Sequence, residues 1–127
     1  MLYARESQKT LDQVVEKLES AVTEHGFGIL GVYDLKEKLA AKGVSFNREC
    51  RVFEVCNPLQ AKKVLDVDIS IANALPCRIC VYEQDGKVCV SMIKPTFMLD
   101  LFHKAELKGV AKEVEDTMVQ IINRACE

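Results

Sequence analysis

Hydrophobic residues follow two different periods along the chain, and these periods predict where helices and strands lie. Apolar side chains recur at helical spacing over residues 11–25 and again over residues 107–125, which predicts two long amphipathic helices. Thr10 and Gln13 form a capping-box pattern before the first helix, and Gly26 provides its end. We therefore expect two long helices, each directing one face at a core.

Shorter apolar runs predict strands between these helices. Residues 27–33 are apolar on both faces, which suits a central strand covered on at least one side. Residues 51–56 have the β-branched and aromatic composition of a strand, and residues 2–6 give a weaker strand signal. Asp34 is a good cap for a short helix that ends at Gly43.

A hairpin is predicted near the end of the sheet. Residues 76–83 and 87–93 read as two strands around an Asp-Gly turn at residues 85–86. A two-residue turn pairs Val81 with Val90 on one face. On the other face it pairs the residues of an outer surface, which are Arg78, Cys80, Tyr82, Cys89 and Ser91.

Further short helices are expected at the junctions. Asn57 is a preferred N-cap residue, a proline follows it, and Gln60 completes a capping-box pattern, so a helix is predicted over residues 58–65. Residues 66–75 are interpreted as a loop with one helical turn. Residues 96–102 can form another short helix.

The resulting order, β-α-β-(α)-β-(α)-β-β-α, predicts an α+β two-layer sandwich. Its sheet is mainly antiparallel, and the two long helices cover one face. Because no repeat, linker or composition change interrupts the chain, residues 1–127 are expected to form a single domain. A chain of this length buries roughly two-thirds of its unfolded surface, so its core requires no metal or disulfide.

Charge and composition exclude some partners. The chain has 17 basic and 19 acidic side chains, interspersed, with a net charge of −2. Since no basic patch is present, we expect neither nucleic acid nor an anionic membrane as the main partner. No signal-peptide pattern and no run of about 18 apolar residues occur. We therefore expect a soluble cytoplasmic protein whose six cysteines are reduced thiols.

Cysteines are the main candidates for chemistry. Cys77 and Cys80 form a Cys-x-x-Cys pattern, but positions three apart in a strand point to opposite faces, so no redox pair, metal site or cofactor is predicted there. Cys56 directly precedes the predicted cap Asn57, close to unpaired amides, which is where a thiol pKa falls. The alternative is that Cys56 simply packs as the last residue of its strand.

Two other sets of residues are candidate sites. Cys77 begins a neighbouring strand, so its sulfur can approach that of Cys56, and Arg78 follows it. The outer hairpin surface, with Cys80, Tyr82 and Cys89, can bind a ligand or a second protomer, or can be solvated. His25 is expected to cap a helix end and His103 to lie in a loop. Since no catalytic motif is present, the sequence favours a protein that is not an enzyme.

Several blocks of the sequence resemble one known family. The blocks are EHGFGIL at residues 24–30, FEVCNP at 53–58, LPCRI at 75–79 and VYE at 81–83. Together they resemble the domain-of-unknown-function family numbered 302. The resemblance implies a small bacterial or archaeal α+β protein, usually a homodimer, with no established activity. The family pattern includes the cysteines that match Cys56 and Cys77, whereas the cysteines at 50, 80, 89 and 126 are additions of this sequence.

Three functional hypotheses follow from the sequence. The first is a homodimeric binding or interaction protein without a catalytic site. The second is a thiol-centred role of Cys56, with Cys77, as sulfur carrier, redox sensor or soft-metal site. The third is a pocket for a small-molecule ligand between sheet and helices, lined by residues 27–33, although the same residues can fill an ordinary core.

Overall fold

The framework is a five-stranded antiparallel sheet with strand order β1-β5-β4-β3-β2. The computed structural model describes residues 1–127. The strands are β1 (Leu2–Ser7), β2 (Gly28–Asp34), β3 (Cys50–Cys56), β4 (Cys77–Gln84) and β5 (Lys87–Ile93). The α-helices are α1 (Leu11–Glu24), α2 (Leu35–Ala41), α3 (Pro58–Val67), α4 (Pro95–Asp100) and α5 (Lys108–Ala125), and two 3₁₀ helices cover Ile69–Ala74 and Ala105–Leu107.

Helices α1 and α5 pack against each other and cover one face of the sheet. The main core contains 18 buried side chains from these helices and from the facing side of the central strands. Leu18, Phe53 and Ile121 are among its largest members. Burying each such side chain contributes about 1.5–3 kcal/mol, so this layer supplies most of the hydrophobic stabilisation. The predicted α+β sandwich is therefore confirmed.

The ends of α1 agree with the sequence pattern. Thr10 Oγ1 accepts a hydrogen bond from the Gln13 amide at 3.2 Å, and the Gln13 side chain accepts one from the Thr10 amide at 3.0 Å. Gly26 has a φ of +77°, a conformation that glycine adopts without a Cβ penalty. His25 Nδ1 lies 2.7 Å from the Ala21 carbonyl oxygen at the same helix end.

The hairpin has the predicted register. Val81 lies opposite Val90, and Tyr82 lies opposite Cys89. Both turn residues have positive φ, 53° at Asp85 and 76° at Gly86. Positive φ at both central positions defines a type I′ turn, whose twist matches that of the flanking strands.

The position predicted for residues 27–33 is wrong. All of these residues except Phe27 lie in β2 (Gly28–Asp34), which is at the edge of the sheet beside β3. A β-bulge interrupts the pairing between Ile29 and Gly31, and Leu30 and Val32 are 65% and 48% exposed. The apolar composition of a run indicates that the strand is partly covered, whereas its place in the sheet is set by pairing with distant segments of the chain.

A second layer of short helices gathers at one end of the sheet. Helix α3 extends to Val67, and Ile69–Ala74 forms a full 3₁₀ helix where the sequence predicted mostly loop. Asp68 caps it by accepting from the Ser70 amide at 2.9 Å. This layer has its own small core, formed by Val64, Ile71, Leu99, Leu107 and Ala111.

None of the helices combines the length and the apolar character needed to cross a membrane.

Candidate functional site

A cavity of about 400 Å³ lies at the end of the sheet where β3 and β5 end and β4 begins. Its walls come from these strand ends, from α3, α4 and α5, and from the segment that follows the first 3₁₀ helix. Fifteen of the 22 residues that line it are hydrophobic, including Phe27, Val55, Val64, Met92, Leu99 and Val114. The size and the apolar lining are typical of small-molecule sites in proteins.

Most of the residues singled out from the sequence line this cavity. Cys56, Asn57, Cys77 and Arg78 are all in its lining, together with Cys80 from the outer hairpin surface. They meet because β3 and β4 are antiparallel neighbours, so the end of one strand lies beside the start of the other. The structure therefore brings the pair Cys56 and Asn57 and the pair Cys77 and Arg78 to one place.

Asn57 caps α3 as predicted. Its Oδ1 accepts hydrogen bonds from the amides of Leu59 and Gln60, at 3.1 and 3.2 Å. The predicted capping box is wrong for Gln60, whose Nε2 instead donates to Glu113 Oε2 on α5 at 3.4 Å. Gln60 Oε1 is buried and has no hydrogen-bond donor. Such an unpaired carbonyl costs about 1–3 kcal/mol, which a suitable donor would recover.

The pKa of the Cys56 thiol changes in the direction expected of a thiol that packs at the end of its strand, and opposite to that of a thiol at a free helix start. Burial raises the pKa of this thiol above its ordinary value. The helix end does not lower it, since the amides that would stabilise a thiolate already donate to Asn57. Cys56 is thus a protonated thiol at neutral pH.

Cys77 and Cys80 occupy different environments. The Cys77 side chain packs against the main core, and burial, with a smaller contribution from Cys56, raises its pKa to about 11. Burial also raises the pKa of Cys80, with a further effect of Cys50. Cys80 faces the side of the sheet without helices, opposite Ser91. No group of three or more metal-ligating side chains is positioned to hold a metal ion.

Two side chains of the outer hairpin surface, Cys89 and Ser91, are buried rather than exposed to solvent. The Tyr82 hydroxyl accepts hydrogen bonds from Cys89 Sγ at 3.3 Å and from Ser91 Oγ at 3.4 Å. Cys89 and Ser91 are only 8% and 6% exposed. Tyr82 and Cys89 lie outside the cavity lining, so this surface and the cavity share only part of their residues.

A charged group extends from the rim of the cavity across the open face of the sheet. Arg78 Nη2 lies 3.8 Å from Glu54 Oε2, and the Tyr33 hydroxyl donates to Glu54 Oε1 at 2.8 Å. This hydrogen bond to the carboxylate raises the pKa of Tyr33. His103, by contrast, is an exposed residue with a φ of +56° and is not part of the lining.

The helix residues that cover the cavity could not be predicted from the sequence pattern. Ala61 and Val64 on α3 and Met98 and Leu99 on α4 form part of the lining, and none was a candidate. A signal for this cover is present, since all three prolines of the chain stand next to strand ends at the cavity. Proline often stands where a helix or strand begins. Because β3, β4 and β5 are antiparallel, the starts of α3, β4 and α4 lie at the same end of the sheet.

These features define the class of protein: a small α+β sandwich whose antiparallel sheet carries an apolar cavity at one end. The chain belongs to the family described as "Domain of unknown function DUF302", whose model matches residues 3–125. It is similar to a solved structure, "Crystal structure of uncharacterized conserved protein DUF302 from Bacillus stearothermophilus", with 30% identity and a TM-score of 0.94. That match covers 99% of this chain and 98% of the other. Comparison with the curated proteins gives no match.

Proposed function

We propose that the protein is a homodimeric binding protein that holds a small, largely apolar molecule in the cavity at the end of its sheet. The observation that carries this proposal is the cavity itself, about 400 Å³ in volume and lined mainly by hydrophobic residues. Removing apolar ligand surface from water provides the driving force. A cytoplasmic location stays a prediction from the sequence.

A few polar groups in the lining can orient the ligand. Gln60 Oε1 lacks a donor, and the terminal torsion of a glutamine is broad, so its amide can turn toward a bound molecule. Asn57 and Arg78 add hydrogen-bond donors at the same end of the sheet. A mostly apolar wall with a small number of polar groups is the usual composition of a specific site.

The binding role is tested by titrating the purified protein with 1-octanol and with octanoate. We expect saturable binding of at least one probe, with amide chemical-shift changes in NMR spectra concentrated at residues 55–61, 73–78 and 92–99. Absence of saturable binding by both probes, or shifts confined to other regions, would contradict the proposed function.

The homodimer is supported by an unusual concentration of exposed apolar side chains on one part of the chain. Seven of the fifteen exposed large hydrophobic residues fall between residues 30 and 46, namely Leu30, Val32, Tyr33, Leu35, Leu39, Val44 and Phe46. Helix α2 in this segment has no buried residue. An accumulation of exposed apolar side chains often marks an interaction site, so we propose a second copy of the chain as the partner of this segment.

Light scattering coupled to size-exclusion chromatography tests the dimer. We expect a dimer for the native chain and a monomer for the double variant V32E/L39E, because two buried carboxylates oppose association. Leu101→Glu is the matched control, since Leu101 is 59% exposed but lies on another part of the molecule. A monomeric native chain, or a V32E/L39E variant that remains dimeric, contradicts the proposal.

The alternative is a thiol-centred role of Cys56 with Cys77. It is supported by the position of both residues in one cavity lining and by the influence of Cys56 on the pKa of Cys77. It is opposed by the raised pKa of both thiols, because the thiolate is the nucleophile and metal ligand. Sulfur transfer, redox sensing and soft-metal binding all require that form.

Alkylation rates separate the two candidates. We measure the rate at which Cys56 in the native protein reacts with iodoacetamide as a function of pH. We expect the pH midpoint of this rate to lie above the ordinary thiol pKa of about 8.5. A midpoint below about 7.5 favours the thiol-centred role. The C56S variant identifies the signal of this residue in the mass spectrum.

A further inference from the structure

The cavity lining has a marked charge asymmetry. Of its 22 residues, Arg78 alone is charged, and no carboxylate is among them. The remaining polar side chains, those of Asn57, Gln60, Asn73 and Ser91, are neutral, as are the cysteines when protonated. A bound molecule therefore meets one positive charge, that of Arg78, and an otherwise uncharged, mostly apolar lining.

Arg78 has hydrogen-bonding capacity that the protein does not use. Its side chain is 68% exposed, and its one ion pair is a long contact of 3.8 Å from Nη2 to Glu54 Oε2. Glu54 also accepts from the Tyr33 hydroxyl through its other oxygen. The guanidinium carries five N–H donors in a planar fork, so most of its donors are free for a ligand.

We propose, on the basis of the binding function proposed above, that the ligand is an amphiphilic monocarboxylate. Its carboxylate pairs with the Arg78 guanidinium at the rim, and its hydrocarbon part fills the apolar cavity. Carboxylates match the guanidinium fork with two parallel hydrogen bonds. An amine of the same shape is disfavoured, because it meets Arg78 and no negative side chain in the lining.

Two probes with the same hydrocarbon part but different head groups test this inference. Octanoate and 1-octanol are titrated by calorimetry into the native protein and into the Arg78→Gln variant. We expect octanoate to bind the native protein about tenfold or more tightly than octanol, as charge-assisted hydrogen bonds do. Arg78→Gln should weaken octanoate binding by about the same factor and octanol binding by clearly less, because octanol carries no charge that pairs with the guanidinium.

Two further variants make the test specific. Arg124→Gln is the matched control, because Arg124 is also an exposed arginine, at 57%, and lies outside the cavity. It should leave both affinities unchanged. Arg78→Lys keeps the charge but loses the planar fork, so its octanoate affinity should lie between those of the native protein and Arg78→Gln.

The outcomes separate this inference from the proposed function. Equal affinities for octanol and octanoate, with no effect of Arg78→Gln, overturn the carboxylate inference while the binding function stands. Failure of both probes to bind overturns the binding function and this inference with it. A uniform loss of both affinities in Arg78→Gln assigns Arg78 a structural role and also overturns the inference.

Discussion

Burial decides the protonation of the cysteines around the cavity. Cys56 is the last residue of its strand and precedes a helix, but the Asn57 side chain already accepts from the first free amides of that helix. Cys77 packs against the core, and its pKa rises from 9.0 to about 11. At this site the cost of burying a charged sulfur raises the thiol pKa, and the helix end does not offset it because its amides donate to Asn57.

Because the pKa of Cys77 is raised, the free energy of unfolding depends on pH in the alkaline range. Below pH 9 the thiol is protonated in both states; between pH 9 and about 11 the unfolded chain loses the proton while the folded protein retains it. The free energy of unfolding therefore falls as pH rises through this window, by about 3 kcal/mol for this residue. In urea titrations between pH 8 and 10.5, Cys77→Ala should show a shallower decline than the native chain. Equal slopes would contradict the assigned pKa.

At the scale of helices and strands, the sequence predicted those features that depend only on residues close together along the chain. The hairpin register and the cap at Asn57 each depend on a few adjacent positions, so the sequence was sufficient for both. The partner of Gln60 could not be predicted in this way, because Glu113 lies on α5, 53 positions along the chain. The edge position of β2 was missed for the same reason, since strand order depends on contacts between distant segments.

The type I′ turn gives a prediction about the hairpin. Gly86→Ala places a Cβ at a φ of 76° and should lower the free energy of unfolding by about 1 kcal/mol. Gly109→Ala is the matched control, because Gly109 lies in α5 with no positive φ and no atom within 4 Å of an added Cβ. That change should be neutral or slightly stabilising. Urea denaturation measures both, and equal effects would contradict the role of the turn.

The cavity is a property of the whole molecule. Its lining combines residues from Leu2 to Val114. The strand order β5-β4-β3 brings the ends of β3 and β5 beside the start of β4. The sequence supplied Cys56 and Asn57 because they stand at a recognisable helix start, and it supplied Cys77 and Arg78 because they begin a neighbouring strand. It did not supply Ala61 or Met98, which are ordinary helix residues until the fold places them over the end of the sheet.

Filling the cavity should separate stability from binding. Ala61→Leu adds apolar volume to the lining, and cavity-filling changes commonly raise the free energy of unfolding by about 0.5–2 kcal/mol. The same side chain excludes a ligand, so binding of 1-octanol and octanoate should weaken about tenfold or more.

Ala105→Leu is the matched control, because Ala105 is exposed and outside the cavity, and its effect on binding should be negligible. Calorimetry and urea denaturation on the two variants provide the measurements. Unchanged binding in a stably folded Ala61→Leu variant would place the ligand elsewhere, because the added side chain and the ligand cannot occupy the same volume.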